Sequence, residues 1–403
     1  MIGMDKIITN EEKIEEILSR GVEDIIVKDE LKKALLSGKQ LRIKLGVDPT
    51  GPKIHLGRAI PLRKLREFQK LGHQVVFIVG DFTALVGDAS DKNDKRPMLT
   101  RAQIDENLKD YKSQVSKILD LSKTEFVHNS DWLSKVSFEE VTKLAECFSV
   151  QQMLARRNFK DRYEAQVEIS LREFLYPIMQ GYDSVAVKAD VELGGFDQLF
   201  NLKAGRIIQD YYGMPKQSIF TCQMLEGTDG RKMSSSWGNI ISIVDDPETM
   251  FGKVMSLHDD LIIKYFTLCT EAPLEVIEGY QKQLTSGTNP RDIKMILGTE
   301  LVTLYHTEKD ATLAKNSWIE TFQKGGIPDN VQEILTTEDK ELGEILVEHG
   351  IVSSKTDWRR LIQEGAVQDK DGNQIQDVKA KASDIILKIG KKRFAKITVS
   401  KQE

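Results

Sequence analysis

The sequence predicts an α/β protein whose first half is a doubly wound parallel sheet, and three observations lead there. Residues 41–47 and 74–79 read as strands that flank a stretch of helical spacing over 57–71, with Ile60, Leu62, Leu65 and Phe68 on one face. The second strand, QVVFIV, is apolar beyond its first residue, as a strand buried on both faces should be. Strand, helix and strand within about forty residues imply a parallel βαβ unit with a right-handed crossover.

The elements that follow extend this reading. A long amphipathic helix is expected over 101–121, a strand over 125–128, a helical stretch over 138–182 and a further strand over 184–193. Residues 1–245 are therefore expected to form a Rossmann-like domain with a helical insertion. Pro61 is tolerable because it stands close to its helix start. From 246 to 325 the pattern is helical without sustained alternation, and a separate helical domain is expected. Gly325-Gly326-Ile327-Pro328 is a breaker that opens a linker over 326–340, and 341–403 reads as a small α+β unit.

Size and composition agree with several domains. At 403 residues the chain exceeds one ordinary domain, and 40% hydrophobic residues suffice for a sizeable core. No apolar run approaches the ~18 residues of a membrane span. The acidic start, MIGMDKIITNEEKIEEIL, lacks the pattern of a leader, so a cytoplasmic protein is expected. Cys147, Cys222 and Cys269 lie far apart, which suggests reduced thiols and no structural metal site. The net charge of −5 hides an asymmetry, because 351–403 hold twelve Lys or Arg and seven Asp or Glu. A basic tail on an acidic body suits either a local RNA-binding module or a solvated lysine-rich end.

Two loops carry candidate chemistry. Asp48-Pro49-Thr50-Gly51-Pro52-Lys53-Ile54-His55-Leu56-Gly57 joins the first strand to its helix, at the sheet edge where such folds bind ligands. A helix start offers free N–H groups to phosphates. Gly57 permits close approach, and Thr50 and His55 can donate to phosphate oxygens. A His before a helix is also an ordinary turn residue. The second loop, Gly230-Arg231-Lys232-Met233-Ser234-Ser235-Ser236, places a lysine in a Ser/Gly setting from which it can reach a polyphosphate, or simply face solvent.

Together these loops resemble the two signature elements of class I aminoacyl-tRNA synthetases. The segments between them, Gly87-Asp88, Tyr176 through Asp183, and Gly194-Gly195-Phe196-Asp197-Gln198, sharpen the likeness to tyrosyl-tRNA synthetases. The tail, with Asp357-Trp358-Arg359-Arg360-Leu361-Ile362 and Gly390-Lys391-Lys392-Arg393-Phe394, resembles the C-terminal S4 RNA-binding domain of bacterial-type members of that family. The resemblance implies tyrosine activation with Mg2+ and ATP, then transfer to tRNA(Tyr), by a homodimer. It implies that Asp183 accepts from the substrate phenol, that Asp88, Tyr176 and Gln180 surround its ammonium group, and that Gln198 lies near its carboxylate. By the same likeness Asp48, Thr50, His55, Gly57, Arg58, Gly195, Asp197, Lys232, Ser234 and Ser235 serve ATP. Lys92 and Arg96 join Thr50, His55 and Lys232 in stabilising the transition state. Arg359, Arg360, Lys391, Lys392 and Arg393 would meet RNA, and the helices of 246–325 the anticodon arm. The i, i+4, i+7 spacing of Tyr176, Gln180 and Asp183 puts all three on one helix face, beside apolar Phe174, Leu175, Ile178 and Met179.

Four positions depart from the common pattern of that family. Arg58 replaces a second histidine, Ser235 a second lysine, and Lys44 stands where many members place a tyrosine on the substrate hydroxyl. Phe196 replaces a small residue and is expected to crowd the nucleotide. A catalytically inactive paralogue that binds RNA would account for these departures and the tail, and would show no amino-acid-dependent ATP chemistry. A small-molecule nucleotidyltransferase shares the first loop but would not bind tRNA. A tryptophanyl-tRNA synthetase shares the fold, with Asp183 and the tail favouring tyrosine.

Overall fold

A computed structural model describes residues 6–88, 98–234, 237–322, 331, 333–370, 372–390 and 393–399. The chain divides into two compact units, one of residues 1–246 with 253–305, the other of 247–252 with 306–403. The helices anticipated as one domain over 246–325 are thus shared between them.

The first unit is organised by a six-stranded sheet of β1 (Val22–Ile26), β2 (Arg42–Val47), β3 (Gln74–Val79), β4 (Thr124–His128), β5 (Val191–Gly195) and β6 (Ser218–Cys222), in the order β1-β6-β5-β2-β3-β4. Strands β2 to β6 run parallel, and their order reverses between β2 and β5, where a doubly wound sheet opens a ligand crevice. Strand β1, which the sequence reading did not identify, pairs antiparallel with β6 at the sheet edge. Its half-buried VEDII carries two charges in five residues, which masks a strand pattern.

Two expected elements differ. Residues 184–186 are not strand but the end of the helix Leu171–Ala186, closed by a bond from the Val187 N–H to the Asp183 carbonyl at 3.0 Å. Lys188 then turns through φ 52°, and β5 begins only at Val191. The helix expected over 101–121 is two, Arg101–Leu108 and Tyr111–Ser116, because Asp110 leaves helical geometry at φ −105° and ψ 4°. The insertion consists of Phe138–Glu146, Val150–Leu154, Arg157–Glu164 and Leu171–Ala186. Ser137, Ser149 and Ser170 start three of these, the last two with reciprocal capping boxes to Gln152 and Glu173.

Glu173 also anchors the insertion. Its carboxylate, fully buried, receives the equally buried Arg162 guanidinium through both terminal nitrogens. The helix Leu171–Ala186 packs closely on Leu199–Tyr211 because Gly181 faces it: a Cβ there would lie 2.7 Å from Ile208 Cδ1 and 3.0 Å from the Ala204 backbone.

In the second unit, β7 (Glu333–Thr336), β8 (Val367–Asp369), β9 (Ile385–Ile389) and β10 (Arg393–Val399) form a sheet in the order β7-β10-β9-β8, with helices Leu342–Glu348 and Lys355–Gln363. Leu346, Leu361, Val367, Leu387 and Ile397 build its core around Trp358, whose indole N–H donates to the Val378 carbonyl at 2.8 Å.

Gly181→Ala should lower stability by about 1–3 kcal/mol, the usual cost of overpacking, read as a fall in the denaturation midpoint at unchanged slope. An unchanged midpoint would contradict the close helix contact.

Candidate active site

At the carboxyl ends of β2, β5 and β6 lies a cavity of about 380 Å3 whose wall includes Asp48, Thr50, His55, Gly57, Arg58, Asp88, Tyr176, Gln180, Gly195, Asp197, Gln198, Lys232 and Ser234. Thirteen of the anticipated residues are thus drawn from five separate segments into one space. Lys92, Arg96 and Ser235 lie outside the described residues, as do Lys391 and Lys392 of the tail.

One side of the cavity suits anions. His55 caps the helix Leu56–Lys70, its Nδ1 accepting the Arg58 N–H at 3.3 Å. Burial, with the Arg58 and Lys232 cations adding to it, pulls the His55 imidazole down to about 3, so the ring is neutral at pH 7. With Nδ1 as acceptor, Nε2 carries the proton and is the donor the ring has left to offer. Arg58 reaches back to the Thr50 hydroxyl at 2.5 Å, which binds the loop to its own helix. A Cβ on Gly57 would approach the His55 ring at 3.2 Å and Met233 Sδ at 3.5 Å, so glycine keeps the helix start open.

Lys232 arrives on a second loop, its ammonium 3.2 Å from Asp197 Oδ2. Asn239, 3% exposed, holds that loop by accepting the Ser234 N–H at 2.8 Å and donating to the Lys232 carbonyl at 3.1 Å. Phe196, expected to crowd this region, is 43% exposed and absent from the cavity wall, because the turn Phe196–Gln198 points it outward.

The opposite side is a polar network. Asp48 Oδ2 accepts the Tyr176 hydroxyl at 3.0 Å, and Asp48 Oδ1 the Thr83 hydroxyl at 2.7 Å. Thr83 in turn accepts from Asn129 Nδ2 at 3.0 Å, and the same amide lies 3.3 Å from Asp183 Oδ2. Trp132 Nε1 donates to Asp183 Oδ1 at 2.8 Å. Asp183 is 3% exposed and sits behind the cavity wall. Burial raises its carboxyl to about 7, against the opposing pull of Lys44, Trp132 and Asn129. Asp88 accepts from Gln198 Nε2 at 2.7 Å and from Asn201 Nδ2 at 3.4 Å. Lys44 is 1% exposed and ion-paired with Glu192 at 3.1 Å.

Thr83, Asn129, Trp132 and Asn201 were not anticipated, and neither was Gly80, where a Cβ would fall 2.1 Å from Asp48 Oδ1 and 2.5 Å from Thr83 Oγ1. Gly80 and Asn129 each follow the last residue of a parallel strand, as Asp48 does, and that position was the available signal.

In the tail, Arg359 is exposed on Lys355–Gln363, while Arg360 pairs with Asp357 at 2.6 Å and Glu364 at 3.0 Å. Arg393 donates to the Ile351 carbonyl at 2.8 Å.

Burial also lowers the His73 imidazole to about 4. An unfolded histidine takes its proton near 6.5, so between pH 6.5 and about 4 the unfolded chain holds the extra protons and stability falls as pH falls. Asp183 acts oppositely: its raised value gives the folded chain the extra proton from about 4 to 7, a contribution lost as pH rises through that window. The His55 share is about 1.4 kcal/mol for each pH unit of its window. Denaturation from pH 7 to 4.5 should therefore show a smaller acid loss in His55→Gln than in the parent protein; an equal loss would contradict a neutral His55.

Comparison with known proteins follows the same lines. Residues 36–323 match the family described as tRNA synthetases class I (W and Y). The chain is 46% identical over 395 residues to the tyrosine–tRNA ligase of Thermotoga maritima, covering 97% of this chain and 98% of that one. It is 45% identical over 399 residues to that of Coxiella burnetii, covering 97% and 100%. Among solved structures, the tyrosyl-tRNA synthetase complexed with L-tyrosine from Archaeoglobus fulgidus superposes with a TM-score of 0.60 at 23% identity, over 75% of this chain and 99% of that one. A C-terminally truncated mitochondrial tyrosyl-tRNA synthetase of Aspergillus nidulans gives 0.63 at 23% identity, over 77% and 94%. These structural likenesses are of fold.

Proposed function

This chain belongs to the class I tRNA synthetases (W and Y), and on that premise we propose that its cavity joins tyrosine to ATP and that the chain delivers tyrosine to tRNA(Tyr). It is an aminoacyl-tRNA ligase, and synthetases of this family take ATP as a substrate. The observation that supports the site assignment is one cavity lined both by Thr50, His55, Arg58 and Lys232, which suit phosphates, and by Asp88, Tyr176 and Gln180, which suit an ammonium group.

In this reading tyrosine's carboxylate oxygen attacks the α-phosphorus of ATP, the bond to the β-phosphate oxygen breaks, and pyrophosphate leaves. Thr50, His55 and the N–H groups of the helix start would stabilise the charge on one side. Lys232 would leave Asp197 for the phosphates on the other, with Ser234 and Ser235 in its loop and Lys92 and Arg96 completing the set. Asp197 and Gly195 would hold the ribose, Gln198 would face the carboxylate, and Arg58 would act through Thr50. Asp183, behind the wall, would receive the phenol. The tRNA terminal adenosine then attacks the adenylate carbonyl and releases AMP.

Among the described residues no group of three His, Cys, Asp or Glu side chains is placed to hold a metal. Mg2+ would come with the nucleotide phosphates, as this ion is commonly bound. Phe138 and Leu171 are 84% and 81% exposed on the insertion, with Val150 and Tyr163 also exposed there. Apolar side chains so displayed support a homodimer closed through that face. No helix among the described residues is long and apolar enough to cross a membrane. The proposed charging of tRNA would take place in the cytoplasm. Arg359, Arg360, Lys391, Lys392 and Arg393 would contact the tRNA backbone, which positions RNA without reading sequence. The helices of 246–325 would meet the anticodon arm, and 341–403 would form the RNA-binding tail. An inactive paralogue is not favoured, because both walls of the cavity keep their chemistry.

Purified protein should charge tRNA(Tyr) with labelled tyrosine, and Asp183→Ala should lose activity or its preference for tyrosine over phenylalanine. Full selectivity in that variant would show that Asp183 does not read the phenol. Deleting 341–403 should weaken tRNA charging by about tenfold or more while adenylate formation persists, as loss of several charge-assisted phosphate contacts requires. Equal loss of both steps would assign the tail to folding.

A further inference from the structure

The Glu192 carboxylate is 1% exposed and gathers donors from three other segments. Its Oε1 accepts from Lys44 Nζ at 3.1 Å and Gln180 Nε2 at 3.0 Å. Its Oε2 accepts the Ser184 hydroxyl at 3.2 Å and the Gln217 side-chain amide. These four donors match the four lone-pair positions of a carboxylate. Lys44 on β2 and Glu192 on β5 are register partners, and Lys44 Nζ also donates to the Gln180 main-chain carbonyl at 3.2 Å. The helix Leu199–Tyr211 leaves room for this cluster at Gly205, where a Cβ would fall 2.4 Å from Gln217 Nε2, 2.6 Å from Ser184 Oγ and 3.0 Å from Glu192 Oε2.

Of these residues only Gln180 also lines the cavity. A carboxylate accepts and never donates, so Glu192 dictates which end of the Gln180 amide turns toward it. The NH2 group faces Glu192, and the carbonyl oxygen becomes the end available to the cavity. An outward acceptor suits an ammonium group; an outward NH2 would repel one.

We propose that Glu192, held by Lys44, is a positioning residue that fixes the Gln180 amide in the orientation that accepts from the substrate ammonium. This rests on the reading of Gln180 as an ammonium contact. In Glu192→Gln one oxygen must serve donors that had two, the Lys44 cation claims it, and Gln180 is released to turn.

The test compares two fragments of the substrate by calorimetry: tyramine, which keeps the ammonium and lacks the carboxylate, and 3-(4-hydroxyphenyl)propionate, which is the reverse. Glu192→Gln should weaken tyramine by about tenfold, the order expected for one hydrogen bond to a charged group, and leave the propionate within about twofold. Equal weakening of both fragments, or no weakening of either in folded protein, would overturn the proposal. Should Glu192→Gln not fold, Lys44→Met with Glu192→Leu removes both buried charges and the orienting acceptor together. The same selective loss of tyramine is then expected, and an equal loss overturns the proposal. Failure of the parent protein to bind tyramine would instead contradict the ammonium role of Gln180.

Discussion

The site depends on the carboxylate of Asp48, which ties the loop of Thr50 and His55 to the helix of Tyr176, Gln180 and Asp183. It stands where β2 ends and the loop to His55 begins, and it accepts from both Tyr176 and Thr83. Through Thr83 and Asn129 the chain of bonds continues to Asp183, so Tyr176 and Asp183, the proposed ammonium and phenol contacts, belong to one connected network. A partly buried network of this kind tolerates no missing member, because each lost donor leaves an acceptor desolvated and unpaired. Gly80 belongs to this constraint, since any side chain there would occupy the space in which Asp48 and Thr83 meet.

The two walls of the cavity solve opposite electrostatic problems. Beside Arg58 and Lys232, burial keeps His55 neutral, so a hydrogen-bond donor is present without a third positive charge. Behind the wall formed by Tyr176 and Gln180, Asp183 is buried deeply enough to hold its proton near neutrality. Lys44 opposes that protonation from the neighbouring strand while its own charge is answered by Glu192. An ion pair so buried contributes little net stability. What it supplies is a fixed polarity beneath Gln180.

Much of this was legible in the chain. QVVFIV reads as a strand covered on both faces and forms one, and the loops of His55 and Lys232, singled out by their glycine, serine and charge, line one cavity. The Tyr176, Gln180, Asp183 spacing placed three polar groups on one helix, which the structure bears out. Other features were hidden for physical reasons. Val185 and Val187 favour strands locally, but contact with the helix Leu199–Tyr211 and bonding of Ser184 to Glu192 keep that segment helical up to Ala186. Strand β1 owes its existence to pairing with β6, some two hundred residues away, and no local pattern announces it. Thr83, Asn129 and Trp132 are ordinary residue types whose importance arises only when three strand ends converge. Lys44 read as a departure until its partner across the sheet was known, since a long-range ion pair leaves no spacing in the sequence.

ATP–pyrophosphate exchange, with tyrosine, phenylalanine or tryptophan supplied separately to the full chain, tests the assignment most directly. It isolates the adenylation proposed for the cavity and needs no tRNA. The account predicts exchange with tyrosine and none above background with the other two. Exchange with tryptophan instead, or no exchange from folded protein with any of the three, would contradict it.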